Sequence, residues 1–273
     1  SYRTAYMKTH WPAAFLCARL AERGGFHHPA VYMAEAGRLG LSVRPPHVNR
    51  SRRRFSLSWE GEQGILWMGL GQVRDLRLAS IQAILEERRV KPFADLRDLV
   101  GRVALHSKEM THLVQCGALD GLGTSRAAIL AEADEIRQAG SGLQMTFDFA
   151  RPRVTPEPAA QRLAWERQLL GQPVSVHPME LVADRRLDAL PLRQLPSEPG
   201  LDVTVAAIRL PGWAGGKGFF LSDGDIFIMA RSGKEQPLPR PWKPLLVRGR
   251  WLADGWGTFW LGVDGMSEIQ EGN

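Results

Sequence analysis

Cysteine is almost absent from this chain. Cys17 and Cys116 are too few and too far apart for a disulfide framework or a thiolate metal site, which suits a reducing cytoplasm. No apolar run approaches the roughly 18–20 residues that cross a bilayer, and no segment reads as a signal peptide, so no membrane partner is expected. A catalytic centre is missing as well. Gly69-Leu70-Gly71 lacks the third glycine of a dinucleotide loop, and Gly215-Gly216-Lys217-Gly218 lacks the first glycine and the hydroxyl residue of a phosphate loop. Asp223 and Asp225 are spaced like metal ligands, but Ser-Asp-Gly-Asp is what a tight turn requires. His27, His28 and His47 have no cysteine or carboxylate cluster to join them as ligands. No metal site is therefore expected.

What is present is an uneven charge. Residues 1–60 hold ten lysines and arginines against three acids, a net of +7, whereas the whole 273-residue chain is +6. The remainder therefore nets −1. A positive field confined to one end favours a polyanion such as nucleic acid over an evenly solvated surface. The densest stretch is Asn49-Arg50-Ser51-Arg52-Arg53-Arg54. The length suits two modules with their connections.

Periodicity changes along the chain. Pro12 begins a helix carrying Phe15, Leu16 and Leu20, and Val31 to Leu39 forms another that Gly40 ends. After Pro45-Pro46, Phe55, Leu57 and Trp59 alternate as a strand, with Ile65 to Met68 as its hairpin partner. From Gly69 to Gly123 short helices follow. One buries Leu78, Ile81, Ile84 and Leu85, another opens at Pro92, and a third is capped by Ser107. Ser125 to Ala139 and Ala159 to Leu170 read as further helices. From Leu201 the pattern becomes five short strands, 203–210, 218–221, 226–230, 245–251 and 258–263, which suggests a small barrel. The fold class is thus α+β, helical modules followed by a five-stranded barrel.

Two features have no obvious internal purpose. Gln144-Met145-Thr146-Phe147-Asp148-Phe149 lies between Gly140-Ser141-Gly142 and a Pro152, Pro156, Pro158 run. An apolar strip in such a tether either docks in a partner's groove or packs back on its own chain. Five of the nine tryptophans crowd the barrel segment, with Lys217, Arg231, Lys234, Arg248 and Arg250 nearby. Aromatics fill a small barrel, and exposed ones stack on unpaired bases. Most are expected inside, with Trp213 or Trp256 exposed.

Several blocks resemble the bacterial DNA polymerase III alpha subunit, in that family's order and over nearly the whole chain. They are residues 1–15 (Ser-Tyr-Arg-Thr-Ala-Tyr-Met-Lys-Thr-His-Trp-Pro-Ala-Ala-Phe), Leu41 to Ser51, Cys116 to Gly123, and Glu166, Leu169-Leu170-Gly171 and Ser175-Val176-His177-Pro178. Gly25-Phe26-His27-His28-Pro29 and the early stop after the barrel are more similar to its short, error-prone branch. The resemblance implies a late fingers region (1–68), a tandem helix-hairpin-helix module (69–140), a linker with a clamp-binding peptide (141–158), a helical connector (159–200) and an OB-like barrel (201–273). It implies primer-template DNA, the sliding clamp and other polymerase or mutasome subunits as partners.

Expected DNA contacts are Arg50, Arg52, Arg53, Arg54, Arg74, Arg77, Gly121, Gly123, Ser125, Arg126, Trp213 and Lys217. Gln144, Met145, Phe147 and Phe149 are the expected clamp contacts. The hexamer departs from the family pattern at Phe147, where Leu or Met is common. The first hairpin, Arg74-Asp75-Leu76-Arg77, has none of the family's glycines, so charge from Arg74 and Arg77 is expected to replace amide capture of phosphate. The palm carboxylates and their magnesium are implied upstream of Ser1, so no cofactor and no synthesis are expected of this chain alone. A non-catalytic adaptor recruiting partners through the hexamer, or an enzyme with an unrecognised centre, stays open at this point.

Overall fold

A computed structural model of the chain describes residues 2–22, 24–140, 154–183, 188–233 and 237–270. The chain divides into two compact units, each discontinuous in sequence. One comprises Ser1–Ser42, Trp59–Gly64 and His177–Asn273, the other Val43–Ser58 and Ile65–Val176.

The first unit opens with helices α1 (Tyr2–His10), α2 (Pro12–Ala21) and α3 (Pro29–Arg38). Proline fixes φ in the first turn of α2 and α3, and His28 Nδ1 accepts the Ala30 amide, capping α3. Strands β1 (Ser42–Arg44), β2 (Ser56–Glu60) and β3 (Gln63–Trp67) form a sheet of order β1-β3-β2.

The second unit is helical: α4 (Leu78–Val90), α5 (Leu96–Arg102), α6 (Ser107–Gln115), α7 (Arg126–Gly140) and α8 (Ala159–Leu170). Two expectations shift here. Pro92 does not open α5, because Asp95 accepts the Asp98 amide at 2.8 Å and starts the helix three residues later. Leu78, expected inside, sits exposed at the first position of α4, while Ile81 and Ile84 are buried. Gly171, at φ +78, ends α8 in the left-handed conformation that a side chain would strain.

The barrel belongs to the first unit. Strands β4 (Asp202–Leu210), β5 (Gly218–Ser222), β6 (Phe227–Ser232), β7 (Pro244–Ala253) and β8 (Phe259–Glu268) close in the order β4-β5-β6-β8-β7. Within this closed sheet β6 and β8 pair in parallel and the other neighbours antiparallel, the arrangement of an OB-like Greek-key barrel. Alternation sends Val203, Val205, Ala207, Phe219, Leu221, Leu245, Val247, Trp251 and Leu261 inside. Outside it, Ile208, Leu210 and Trp242 pack with Ala30 and Val31 of α3, so this patch of the barrel wall is already covered.

Candidate nucleic-acid interface

The basic stretch is a rigid turn. Ser51 is buried, its hydroxyl accepts the His47 amide at 2.9 Å, and its own amide reaches His47 O at 2.8 Å. Asn49 makes a reciprocal pair with Phe93: Nδ2 donates to Phe93 O and Oδ1 accepts the Phe93 amide, both at 2.8 Å. Arg88, half-buried on α4, donates to Val48 O and Ser51 O from one guanidinium nitrogen. Burial, with Arg52 and Arg89 nearby, pulls the Arg88 pKa down, a sign of like charges gathered in one place. Burial likewise lowers the pKa of His47, whose Nδ1 accepts the Asn49 amide.

Beyond the turn, the Leu70 and Gly71 amides donate to Arg52 O and Arg53 O, each at 2.9 Å. A Cβ on Gly69 would lie 2.3 Å from Arg53 O, and one on Gly71 2.8 Å from the same atom. Gly69-Leu70-Gly71 therefore serves close backbone approach, a role its sequence context did not reveal. The outcome is that Arg50, Arg52, Arg53 and Arg54 all stand exposed on a backbone clamped from both sides. Arg89, exposed at the end of α4, was not among the expected contacts; that Arg88 next to it reaches Val48 O and Ser51 O, and so brings α4 against the turn, is a long-range consequence of folding.

The first hairpin supplies its left-handed residue without glycine. Asp75 adopts φ 61, a conformation Asp tolerates better than most side chains. Lys108 Nζ lies 2.9 Å from its carboxylate and holds it below the usual carboxylate range. Arg74 is exposed, and its carbonyl accepts from His112 Nδ1 at 2.8 Å. Arg77 is exposed and also carries an ion pair within the chain. Its guanidinium forks onto Glu109, Nε at 3.0 Å and Nη2 at 2.7 Å, and its amide donates to the same carboxylate. Glu109 also accepts from Ser80 Oγ and the His106 amide. Burial raises the Glu109 pKa, but these donors outweigh it and bring the group down to about 2. Arg77 thus fastens the hairpin to α6.

The second hairpin, between α6 and α7, requires a larger correction. Arg126, expected at a phosphate, is 2% exposed. It grips Asp120 with Nε at 2.9 Å and Nη2 at 2.7 Å, while Nη1 reaches Glu166 at 2.9 Å. Glu166 is fully buried and accepts the Val174 and Ser175 amides at 2.7 and 2.9 Å. Burial disfavours the Arg126 charge, but the two carboxylates raise its pKa above the ordinary arginine value. Gly117, at φ +87, leaves room for this pair, because a Cβ there would sit 2.4 Å from Arg126 Nη2.

At the start of α7, the Ala128 amide donates to Ser125 Oγ at 3.1 Å and the Ala127 amide to Glu157 Oε2 at 3.0 Å. Asp120, Gly121, Gly123, Ser125, Glu157 and Arg162 line a cavity of about 290 Å³ in front of it. Gly121 and Gly123 are exposed.

On the barrel, Trp213 and Trp256 are exposed, at 55% and 95%, while Trp242 and Trp251 are buried. Lys217 is exposed on the β4–β5 loop, its Nζ 3.2 Å from Gly233 O. Asp223 closes the expected turn, Oδ1 accepting the Asp225 and Ile226 amides. Gln144, Met145, Phe147 and Phe149 lie outside the described residues. Among the described residues no helix is long and apolar enough to cross a membrane.

Comparison with known proteins fits this arrangement. Residues 40–129 match the family of the helix-hairpin-helix motif, so the arginine turn falls within the match. The DNA polymerase III subunit alpha of Thermus aquaticus is 35% identical over 82% of this chain and 20% of its own length. An error-prone DNA polymerase of Alkalilimnicola ehrlichii is 31% identical over 80% of this chain and 22% of its own. Among solved structures, asparaginyl-tRNA synthetase from Pyrococcus horikoshii overlaps 32% of this chain and 24% of its own at a TM-score of 0.27, too low to add weight. The chain spans about a fifth of the length of the curated relatives it matches. With most of its sequence aligned to these polymerases at 31–35% identity and the helix-hairpin-helix match within it, the chain belongs to the DNA polymerase III alpha-subunit family.

Proposed function

We propose that this chain is a DNA-engaging portion of a bacterial DNA polymerase III alpha subunit of the error-prone type, holding primer-template DNA while another part of the polymerase performs synthesis with its magnesium. The observation that carries the reading is the clamped turn: exposed arginines on a fixed backbone, inside the helix-hairpin-helix match. A backbone held in advance spares the cost of ordering the turn when its arginines meet phosphates. Arg50, Arg52, Arg53, Arg54 and Arg74 are assigned to phosphate contacts, joined by the hairpin residues Gly121, Gly123 and Ser125. Arg77 and Arg126 are assigned to holding the hairpins. Trp213 and Lys217 contact the unpaired template strand. The Gly25-Phe26-His27-His28-Pro29 block and the error-prone relative support the branch.

The hexamer carries the finer proposal. Gln144, Met145, Phe147 and Phe149 dock on the sliding clamp, the glutamine by hydrogen bonds and the apolar side chains in a pocket. The expected location is the bacterial cytoplasm.

Fluorescence anisotropy of the chain with labelled primer-template DNA tests the DNA reading. The log of the binding constant should fall linearly with the log of salt, by about 0.9 per phosphate neutralised. A chain that fails to bind, or binds with no salt dependence, would instead fit an adaptor acting through the hexamer. Clamp binding is tested with Gln144→Ala and Phe149→Ala together; undiminished capture of the chain by the clamp removes the peptide from this account.

A further inference from the structure

We infer that Phe26 and Trp213 form a tilted two-ring platform for an unpaired nucleobase of single-stranded nucleic acid, one ring on the base's face and the other at its edge. The inference rests on the DNA-binding reading and extends it to a residue far from the barrel in sequence. Phe26 is 73% exposed and Trp213 is 55% exposed, yet their ring centroids lie 5.8 Å apart with planes tilted by 52°. Exposed aromatic pairs of this kind hold apolar surface in water unless something covers them.

Both rings have contacts within the chain before any ligand arrives. Trp213 Nε1 donates to Gly216 O at 3.0 Å, locking the indole onto its own loop. That loop is tight, with the Gly218 amide on Gly215 O at 2.7 Å. Phe26 meets His27 edge to face at 5.1 Å, and His27 in turn packs on Phe220 of β5 at 5.5 Å. The two segments approach through glycine: a Cβ on Gly212 would lie 2.9 Å from His28 Cβ. Gly25, at φ +127, similarly passes Tyr32, whose hydroxyl would sit 2.2 Å from a Cβ there.

Charge selects the occupant. Neither 24–28 (Gly-Gly-Phe-His-His) nor 211–218 (Pro-Gly-Trp-Ala-Gly-Gly-Lys-Gly) contains an acid, and Lys217 lies in the tryptophan's own loop. Flat rings beside a cation suit a base on a phosphate backbone, because every base offers a π face and every nucleotide a negative charge. An acidic or apolar peptide would satisfy one of these features and not both.

The test compares a labelled oligo-dT strand with an abasic strand of equal length, binding to the full chain and to Phe26→Ala, Trp213→Ala and the double variant. Each single change should weaken oligo-dT binding about tenfold. The double change should weaken it by less than the product, since both rings serve one base. Phe26→Leu, which keeps apolar bulk without the ring, should lose nearly as much as Phe26→Ala. Abasic binding should be equal for wild type and every variant. Wild-type affinity of the alanine variants for oligo-dT, or equal losses on both strands, overturns the platform while leaving DNA binding intact. A wild-type chain that binds neither these strands nor a duplex overturns the DNA reading itself.

Discussion

Arginine does opposite things in the turn at 50–54 and at the two hairpins. In the turn, four guanidinium groups stand exposed on a clamped backbone, and Arg88 beneath them is held by backbone carbonyls. At the hairpins, Arg77 and Arg126 are bound by carboxylates, Glu109 for one and Asp120 with Glu166 for the other. The difference lies in the partners that folding brings, since the side chain is the same. An arginine on acids is part of the scaffold, whereas Arg50, Arg52 and Arg53, exposed close together, favour an anion from outside.

The sharpest way to break this contrast is at Arg126. Arg126→Met should destabilise the second unit by about 3–5 kcal/mol, because Glu166 then stays buried without its counter-charge. Urea denaturation measures this, and a loss below about 1 kcal/mol would mean the network contributes little. A smaller effect is expected at Gly69. Gly69→Ala places a methyl against the backbone of Arg53 and Arg54, costing about 1–3 kcal/mol. It should also weaken DNA binding through the displaced arginines, although it removes no charge. Stability that falls while affinity holds would separate the clamp from the DNA-facing surface.

The mildest handle is pH. Glu109 is depressed from its ordinary 4.5 to about 2, so its folded-state contribution is complete above about pH 4.5 and fades as pH falls through 2. Acid denaturation of wild type should therefore be steeper across that window than that of Glu109→Gln. Parallel curves would mean that Arg77 and Glu109 are not coupled as described.

Much of this was legible in sequence. All five barrel strands were expected from short apolar runs between turns, although β8 continues to Glu268, five residues past the expected 258–263. The surplus of arginine at 50–54 was visible as composition, whereas the hydrogen bonds from residues 70, 71 and 88 that clamp its backbone were not. The fate of Arg126 was hidden, because Glu166 lies forty residues on and only packing makes them neighbours. Gly69 and Gly71 were hidden for a similar reason: the backbone they accommodate is some sixteen residues upstream. At Asp75 the missing glycines suggested that charge replaces amide capture of phosphate, and the left-handed backbone that Asp holds there was not foreseen. Phe26 stood out only within the Gly25-Phe26-His27-His28-Pro29 block, and its pairing with Trp213 was hidden because that residue comes from the other end of the chain.

The central claim is that the turn meets phosphates while the hairpin arginines hold the fold. Its most direct test is the salt dependence of DNA binding by Arg52→Gln/Arg53→Gln/Arg54→Gln beside wild type. The slope of log affinity against log salt should flatten by about 0.9 for each phosphate no longer neutralised, approaching three units, with stability changed by less than about 0.5 kcal/mol per site. An unchanged slope in a stably folded triple variant would contradict the account.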